Sequence, residues 1–294
     1  MKLPLLSFIV FFAAAVVGQA ADKIRVSTFS TILTEIAQQV GGDRVAVTGH
    51  VKPGIDPHEF EPKPEDLKIV GDAQLILLSA KHMESYVGKL KQATGTKGDL
   101  VEVGDGFASL KMKSEREPDK VIEDPHWWQS VLYTEKAVKI VRDELIKVSP
   151  ADKATFTENA AKYLAKLDAL EKWVKLELAK LPRDKRKLVT SHDAFQYFAR
   201  DNGFTIHAIE GVSSEDQPSS KKVGDIVAAI KSEGVKAIFP ENIENPKVMT
   251  EITRETGVKI APPLYADGLG DTPEASTYEA MYKHNVTTIV DALK

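Results

Sequence analysis

The chain has 294 residues with no cysteine, 43% hydrophobic and 28% charged residues, and a formal net charge of −4. This ordinary globular balance excludes a chain that is disordered throughout, and the length suits one large domain or two smaller ones. A slightly acidic chain lacks the basic surface of a nucleic-acid-binding protein. Without cysteine it forms no disulfide and no thiolate metal site, and it has no N-terminal cysteine for lipid attachment.

Residues 1–21 are typical of a cleaved secretory signal peptide. Lys2 supplies the positive charge, an apolar stretch from Leu5 to Val17 follows, and small residues precede the expected cleavage site. The apolar stretch is shorter than the roughly 20 residues that a membrane-spanning helix needs, which favours cleavage over an uncleaved anchor. We therefore expect an exported, periplasmic protein without a lipid anchor.

Residues 22–150 alternate between short apolar strands and helices. The patterns predict strands at 24–29, 44–51, 75–79 and 100–103, and helices at 31–40, 64–72, 83–93 and 134–148. Segment 111–124 is polar and charged and is predicted to be a loop. The βαβα order predicts a parallel sheet that is covered by helices.

Residues 151–181 contain neither glycine nor proline, and their apolar residues recur at spacings of three and four. This pattern predicts one helix of about 30 residues, which would be about 45 Å long. The helix is either a surface helix of one domain or a stiff connection between two domains.

The alternation of strands and helices resumes after Pro182. The patterns predict strands at 187–190, 204–209, 237–239 and 258–261, and helices at 194–202, 219–232, 245–256 and 277–293. The predicted fold class is therefore α/β, with two parallel-sheet lobes covered by helices. The N-terminal lobe would comprise residues 22–150, the linker helix 151–181, and the C-terminal lobe 182–294.

Four polar residues lie where predicted strands end. His58 and His126 each stand in an Asp-Pro-His sequence, His192 ends a strand of the second lobe, and Asp267 follows its last strand. Because open α/β sheets bind ligands at the carboxyl ends of their strands, these residues are expected to face each other across a cleft. Three imidazoles and one carboxylate suit a four-coordinate Zn²⁺ ion. Taken singly, each histidine could be a surface or hydrogen-bonded residue, and Asp267 could be a turn aspartate.

The same segments resemble the metal-binding, substrate-capturing subunits (cluster A-I) of bacterial ABC transporters for zinc, manganese and iron. Asp56–Pro62 is similar to the family's Asp-Pro-His-x-Tyr-Glu-Pro motif, and Asp124–Trp128 is similar to its Asp-Pro-His-x-Trp motif. Residues 191–199 resemble the third motif and residues 267–269 the fourth, which is usually Asp-Ser-Leu. The resemblance covers essentially the whole mature chain and implies two lobes joined by one long helix. It also implies four metal ligands: His58, His126, His192 and Asp267.

The chain departs from these motifs at two places. Gln129-Ser130-Val131 stands where the family usually has Leu-Asp-Pro, which is expected to alter the start of the helix behind His126 without removing the ligand. Gly268 replaces the common serine and so removes a hydroxyl near Asp267. Segment 111–124 contains no histidine, unlike the His-rich loop of many zinc-specific members, so a loop-based metal relay is not supported.

The resemblance implies a substrate-binding component that captures a divalent metal ion and delivers it to a membrane permease, with ATP hydrolysis by a separate subunit. His192 favours Zn²⁺, since the manganese and iron branches commonly place a glutamate there and oxygen ligands suit Mn²⁺. A manganese or iron carrier is the alternative. The predicted protein is a monomer that binds no nucleic acid and is not an enzyme. A metal-dependent hydrolase and an adhesin are the rival classes, although a fourth ligand would close the position that catalytic zinc keeps for water.

Overall fold

The computed structural model describes residues 22–114, 119–213, 216, 218–242 and 247–294. The predicted signal peptide, residues 1–21, lies outside the described residues. None of the helices in the described part of the chain is long and apolar enough to cross a membrane.

The first part of the chain forms a parallel sheet that is flanked by helices, which confirms the predicted class. Its elements are β1 (Ile24–Thr28), α1 (Thr31–Gly41), β2 (Val45–Gly49), α2 (Pro64–Asp72), β3 (Leu75–Leu78), α3 (Val87–Thr94) and β4 (Asp99–Glu102). The strands lie in the order β2-β1-β3-β4, and every pair is parallel. All four residues of β3 are buried, as expected of an inner strand that is covered on both faces. The order reverses direction between β1 and β3, so the carboxyl ends of these strands border a crevice that can hold a ligand.

Two short strands follow the first sheet where the sequence predicts only a loop. They are β5 (Lys111–Lys113) and β6 (Val121–Glu123), which pair in antiparallel fashion. The loop prediction for 111–124 is therefore wrong at its two ends. Strands of three residues are too short for their pattern to be distinguished from a loop in sequence, and only the pairing itself identifies them.

Long helices connect the two sheets. Helix α4 covers Val131–Val148, and helix α5 covers the 26 residues Lys153–Leu178, which corresponds to a length of about 39 Å. Helix α5 packs against α1 and α4, which precede it, and against the C-terminal helix α9 (Tyr278–Leu293). Its buried face repeats at spacings of three and four residues: Phe156, Ala160, Tyr163, Leu167, Leu170, Val174 and Leu178. The long helix is confirmed, and the division into lobes at residues 150 and 182 stays a prediction.

The second part of the chain repeats the strand order of the first. Its remaining elements are β7 (Lys187–Thr190), α6 (Gln196–Asn202), β8 (Thr205–Ala208), α7 (Ser220–Glu233), β9 (Ala237–Ile238), α8 (Lys247–Thr256) and β10 (Lys259–Ile260). Strand β8 pairs with β7 and β10 pairs with β9, both in parallel. The N–H of Phe239 donates to the carbonyl of Val189 at 2.8 Å, and this bond joins the two pairs. The resulting order β8-β7-β9-β10 creates a second crevice at the carboxyl ends of the strands.

Glu35 on α1 connects three helices in the interior. Its carboxylate accepts hydrogen bonds from the Tyr163 hydroxyl of α5 at 3.0 Å and from the backbone N–H of Tyr278, the first residue of α9, at 2.6 Å. Burial raises the pKa of Glu35. A carboxylate at the start of α9 is favourably placed, because the exposed N–H groups and the helix dipole both attract negative charge there. The contact fixes the first sheet's helix α1 to the C-terminal helix.

A left-handed turn after β3 supports the segment that carries His126. Ala80, Lys81 and His82 have φ angles of 71°, 56° and 69°, a conformation that side-chain-bearing residues rarely adopt. The Glu84 carboxylate accepts from the backbone N–H groups of Ser79 at 2.7 Å and Ala80 at 3.0 Å and thereby holds the turn. The Ser79 carbonyl in turn accepts from the Trp127 indole at 3.0 Å.

Replacing Glu84 with glutamine should change the pH dependence of stability. Burial raises the pKa of Glu84 from 4.5 to about 7, so the folded state keeps this proton at pH values where the unfolded state loses it. The contribution of Glu84 to the free energy of unfolding therefore falls as pH rises from about 4.5 to about 7, by about 3 kcal/mol in total. Denaturant unfolding from pH 5 to pH 8 should show Glu84→Gln gaining stability relative to wild type as pH rises. The same substitution at the exposed Glu59 controls for the loss of one charge, and a constant difference for Glu84→Gln would contradict the account.

Replacing Gly268 with serine should destabilise the fold. The Thr31 hydroxyl accepts from the backbone N–H of Leu269 at 2.8 Å, and a Cβ atom on Gly268 would lie 2.5 Å from that same oxygen. Gly268→Ser should lower the free energy of unfolding by about 1–3 kcal/mol, because the loop or Thr31 must move. Gly224→Ser on α7 is the control, since a Cβ there meets nothing within 4 Å. Equal stability of the two serine variants in thermal or denaturant unfolding would show that the contact imposes no constraint.

Candidate metal centre

The four predicted ligands meet at one point between the two sheets. The Nε2 atom of His126 lies 3.2 Å from Nε2 of His58 and 3.4 Å from Nε2 of His192. Oδ1 of Asp267 lies 3.6, 3.3 and 3.4 Å from the Nε2 atoms of His58, His126 and His192. One ligand atom from each of the four residues lies within 4.8 Å of all the others, and the described residues contain no second group of this kind.

These separations match the edges of a small coordination polyhedron. A zinc–nitrogen bond of 2.0–2.1 Å implies about 3.3–3.4 Å between neighbouring ligand atoms of a regular tetrahedron. Five of the six separations lie between 3.2 and 3.6 Å and bracket that value, and all six are within 4.8 Å. The spacing of the four atoms therefore suits a single first-row transition-metal ion.

The arrangement is buried, and one side is more accessible than the others. The rings of His126 and His192 are almost completely excluded from solvent, and Asp267 is buried, whereas the side chain of His58 keeps 10% exposure. Oδ1 of Asp267 is buried without a directed hydrogen bond. A buried carboxylate oxygen normally has such a bond, so the position of this atom indicates that a cation satisfies it.

Two further carboxylates orient the histidine rings. Oδ1 of Asp124 lies 2.8 Å from Nδ1 of His126 and also accepts from the backbone N–H of His126 at 2.9 Å. Glu241 accepts in the same way from His192, through Nδ1 and through the backbone N–H. A proton on Nδ1 leaves the lone pair of Nε2 directed at the centre, which is the tautomer that a metal ligand requires.

Sequence reasoning identified the four central residues but not Glu241. The position of Glu241 in the sequence could have indicated it, because Glu241 follows β9 at the carboxyl end of the second sheet, as His192 follows β7. A lone glutamate in a polar loop is nevertheless an ordinary surface residue in sequence. Only the pairing of β7 with β9 through Phe239 brings Glu241 beside His192.

The loop of His58 is anchored by residues on both sides of the histidine in the sequence. His50, at the end of β2, contacts Oδ1 of Asp66 at 2.7 Å and stacks on Phe29 with 4.6 Å between ring centroids. Phe60 packs against the same Phe29 ring at 6.1 Å. Burial opposes ionisation of Asp66, but the hydrogen bond from His50 prevails and lowers the pKa of the carboxyl group. His50 thus has a structural role at the start of this loop.

The central charges stabilise one another strongly. Burial disfavours the charged form of His126, yet the hydrogen bond to Asp124 and the negative charges of Asp124 and Asp267 outweigh it and raise the pKa of His126 to about 9. Burial also opposes the charged form of His192, but the charges of Glu241 and Asp267 raise its pKa well above the ordinary value. Burial favours the neutral form of Asp267, whereas the neighbouring histidines lower its pKa well below the usual range. Protonation of these imidazoles and metal binding therefore oppose each other.

The departure at residues 129–131 leaves both the helix start and the ligand in place. The Ser130 hydroxyl accepts from the backbone N–H of Tyr133 at 3.4 Å and caps α4. Helix α4 begins at Val131, three residues earlier than predicted. Serine is an effective N-cap, so the helix retains an ordinary start behind His126.

The chain is similar to known metal-binding proteins over nearly its whole length. It is 32% identical over 282 residues to the zinc-binding protein TroA of Treponema pallidum, a match that covers 93% of this chain and 90% of the relative. It is 31% identical over 284 residues to the manganese-binding lipoprotein MntA of Bacillus subtilis, covering 94% and 92%. A solved structure of the periplasmic zinc-binding protein TroA from Treponema pallidum superimposes with a TM-score of 0.84 at 29% identity, over 93% of this chain and 99% of that one.

The relatives correct one prediction. The absence of a lipid anchor was inferred from the lack of cysteine, but MntA of Bacillus subtilis is named a lipoprotein. Relatives from Streptococcus sanguinis and Streptococcus mutans carry the same designation. The prediction of a form without a lipid anchor is therefore wrong by this comparison, and the location outside the cytoplasm agrees with it.

The family assignment rests on almost all of the expected mature chain. The family described as zinc-uptake complex component A, periplasmic (ZnuA) matches residues 26–292. That range contains all four converging side chains and every strand of both sheets except the first two residues of β1. The chain therefore belongs to the ZnuA family of metal-binding, substrate-binding proteins of ABC transporters.

Proposed function

We propose that this protein captures one divalent transition-metal ion, with zinc as the favoured metal, and delivers it to the membrane permease of an ABC transporter. The ion is held between the N-terminal lobe, residues 22–150, and the C-terminal lobe, residues 182–294, which the helix 151–181 joins. The observation that supports this proposal most directly is that one ligand atom from each of four residues lies within 4.8 Å of the others: His58, His126, His192 and Asp267. Two ligands come from each predicted lobe, so the bound ion joins the two lobes.

The charges of the proposed site favour a dication. Asp267 contributes one negative charge at the centre, and Asp124 and Glu241 contribute two more directly behind the rings. A dipositive ion bound to three neutral imidazoles leaves this group with a formal charge of −1. The carboxylates behind the rings also raise the basicity of the ligating nitrogens, which strengthens metal binding.

Zinc is the first choice because three of the four ligand atoms are nitrogens. Imidazole suits zinc, whereas manganese is bound better by carboxylate and carbonyl oxygens. The relatives do not favour one metal, since TroA is named a zinc-binding protein and MntA a manganese-binding one. A manganese or iron carrier of the same design is the alternative.

The ligand count argues for a carrier over a metal-dependent hydrolase. Catalytic zinc normally has three protein ligands and an open position for water, and here a fourth side chain points at the same centre. Glu59, the carboxylate next to His58, is exposed to solvent and lies outside the group of converging side chains. We infer that the protein has no catalytic role and works as a monomer with a permease and a separate ATPase subunit. A turnover assay with added metal separates carrier from enzyme, and metal-dependent growth of a deletion strain separates carrier from adhesin.

Loss of one ligand should weaken metal binding and still leave a folded protein. Equilibrium dialysis should find one zinc ion per wild-type chain and at least tenfold weaker binding by His192→Ala, because an inner-sphere bond is lost. The metal-free variant should still unfold cooperatively, since His192 lies in a loop after β7, but with lower stability, because the buried Glu241 loses the imidazole as a partner. His207→Ala is the control, because His207 contacts Glu233 and lies outside the metal group. Two equally tight sites, none, or equal zinc binding by His192→Ala and wild type would refute the proposal.

The residue at position 192 should control the relative preference for zinc and manganese. His192→Glu would add a hard anionic oxygen, and with two carboxylate ligands the formal charge of a dipositive complex falls from +1 to zero. Manganese should gain relative to zinc by about tenfold, although zinc can remain the tighter ligand in absolute terms. Competition titrations of both proteins with zinc and manganese give this ratio. An unchanged ratio would show that His192 does not set the preference.

A further inference from the structure

Gln129 lies at the contact between the segment that carries His126 and the segment that carries Asp267. Its side chain is buried, with 1% of the residue exposed. The amide nitrogen Nε2 donates to the carbonyl oxygen of Ala266 at 2.6 Å and lies 3.3 Å from the carbonyl oxygen of Tyr265. These carbonyls belong to the two residues that directly precede Asp267.

The surroundings hold Gln129 in one position. Its own backbone carbonyl accepts from the Tyr282 hydroxyl of α9 at 2.9 Å. The preceding residue, Trp128, makes a second hydrogen bond to the same carbonyl, because its indole N–H donates to the oxygen of Ala266 at 2.7 Å. Asn285 of α9 donates to the Tyr265 carbonyl at 2.8 Å. The amide of Gln129 thus spans from the segment after His126 to a backbone that α9 fixes from the other side.

We propose that Gln129 is a positioning residue that couples Asp267 to His126 and thereby slows release of the bound ion. This inference rests on the proposed function, because it concerns the same centre. Release requires the Asp267 segment to separate from the His126 segment. That separation breaks the hydrogen bonds from Gln129 at the same time as the metal bond.

The network also explains why the coupling can be removed without losing the fold. If Gln129 becomes leucine, the Ala266 carbonyl keeps the Trp128 indole as donor and the Tyr265 carbonyl keeps the Asn285 amide. Neither buried acceptor is left without a partner, so the large penalty of an unsatisfied polar group does not arise. Leucine also occupies a similar volume and is compatible with a buried site. The substitution should therefore act on metal release more than on stability.

The test is the rate at which a chelator in excess removes zinc from the loaded, full-length protein. Gln129→Leu should release zinc about threefold to tenfold faster than wild type, the range expected for one lost hydrogen bond. Gln38→Leu on the exposed side of α1 should release zinc at the wild-type rate. Gln129→Met is a second variant of similar length, in case Gln129→Leu does not fold.

A double substitution separates positioning from a general loosening of the structure. In the Asp267→Ala background, Gln129→Leu should no longer accelerate zinc release, because the residue that it positions is gone. Equal acceleration in both backgrounds, or none in wild type, would overturn the inference. Failure of wild-type protein to bind zinc would instead refute the proposed function, so the two failures are distinguishable.

Discussion

The buried negative charge of Asp267 is the constraint on which the centre depends. Oδ1 has no directed hydrogen bond, and the nearest polar atoms are three imidazole nitrogens at 3.3–3.6 Å. A carboxylate in such a position is stable only with a cation beside it. In the metal-free protein positive charge on the rings of His126 and His192 is stabilised by the neighbouring carboxylates, which raise the pKa of both histidines, and a dipositive ion can take the place of that charge. The site is therefore charged in both states, and metal and protons compete for one set of atoms.

The fold brings these charged groups together because the same strand order occurs in both sheets. Both sheets place their central strands in the same relative order, and each order creates a crevice at the carboxyl ends of the strands. Helices α1, α5 and α9 hold the two crevices opposite each other, with Glu35 buried where the three helices meet. The ligands can then lie on short loops, because the rigid elements behind those loops determine their separation.

Local sequence patterns predicted most of the elements and all four central residues. The Asp-Pro-His repeats were informative because proline and aspartate restrict the loop backbone and the following histidine accompanies them twice. The contacts around the centre were not predictable in this way. Glu241 reaches His192 through strand pairing, and Gln129 reaches Ala266 across 137 residues of sequence. Such contacts depend on the assembled fold and leave no local periodicity.

Gly268, which stands where the family usually has serine, can be explained only from the structure. In sequence the glycine is simply the loss of a hydroxyl. In the structure the Thr31 oxygen occupies the space beside it and accepts from the N–H of Leu269, so glycine is the residue that allows this approach. The Asp267 segment is thus fixed from the side of α1 as well as from the side of His126.

The central claim is that one ion binds where these four side chains converge. The most direct measurement is anomalous diffraction at the zinc absorption edge from crystals of the zinc-loaded protein. The account predicts a single strong peak at bonding distance from Nε2 of His58, His126 and His192 and from a carboxylate oxygen of Asp267. A strongest peak elsewhere in the molecule, or a zinc ion here that is bound by water in place of Asp267, would contradict it.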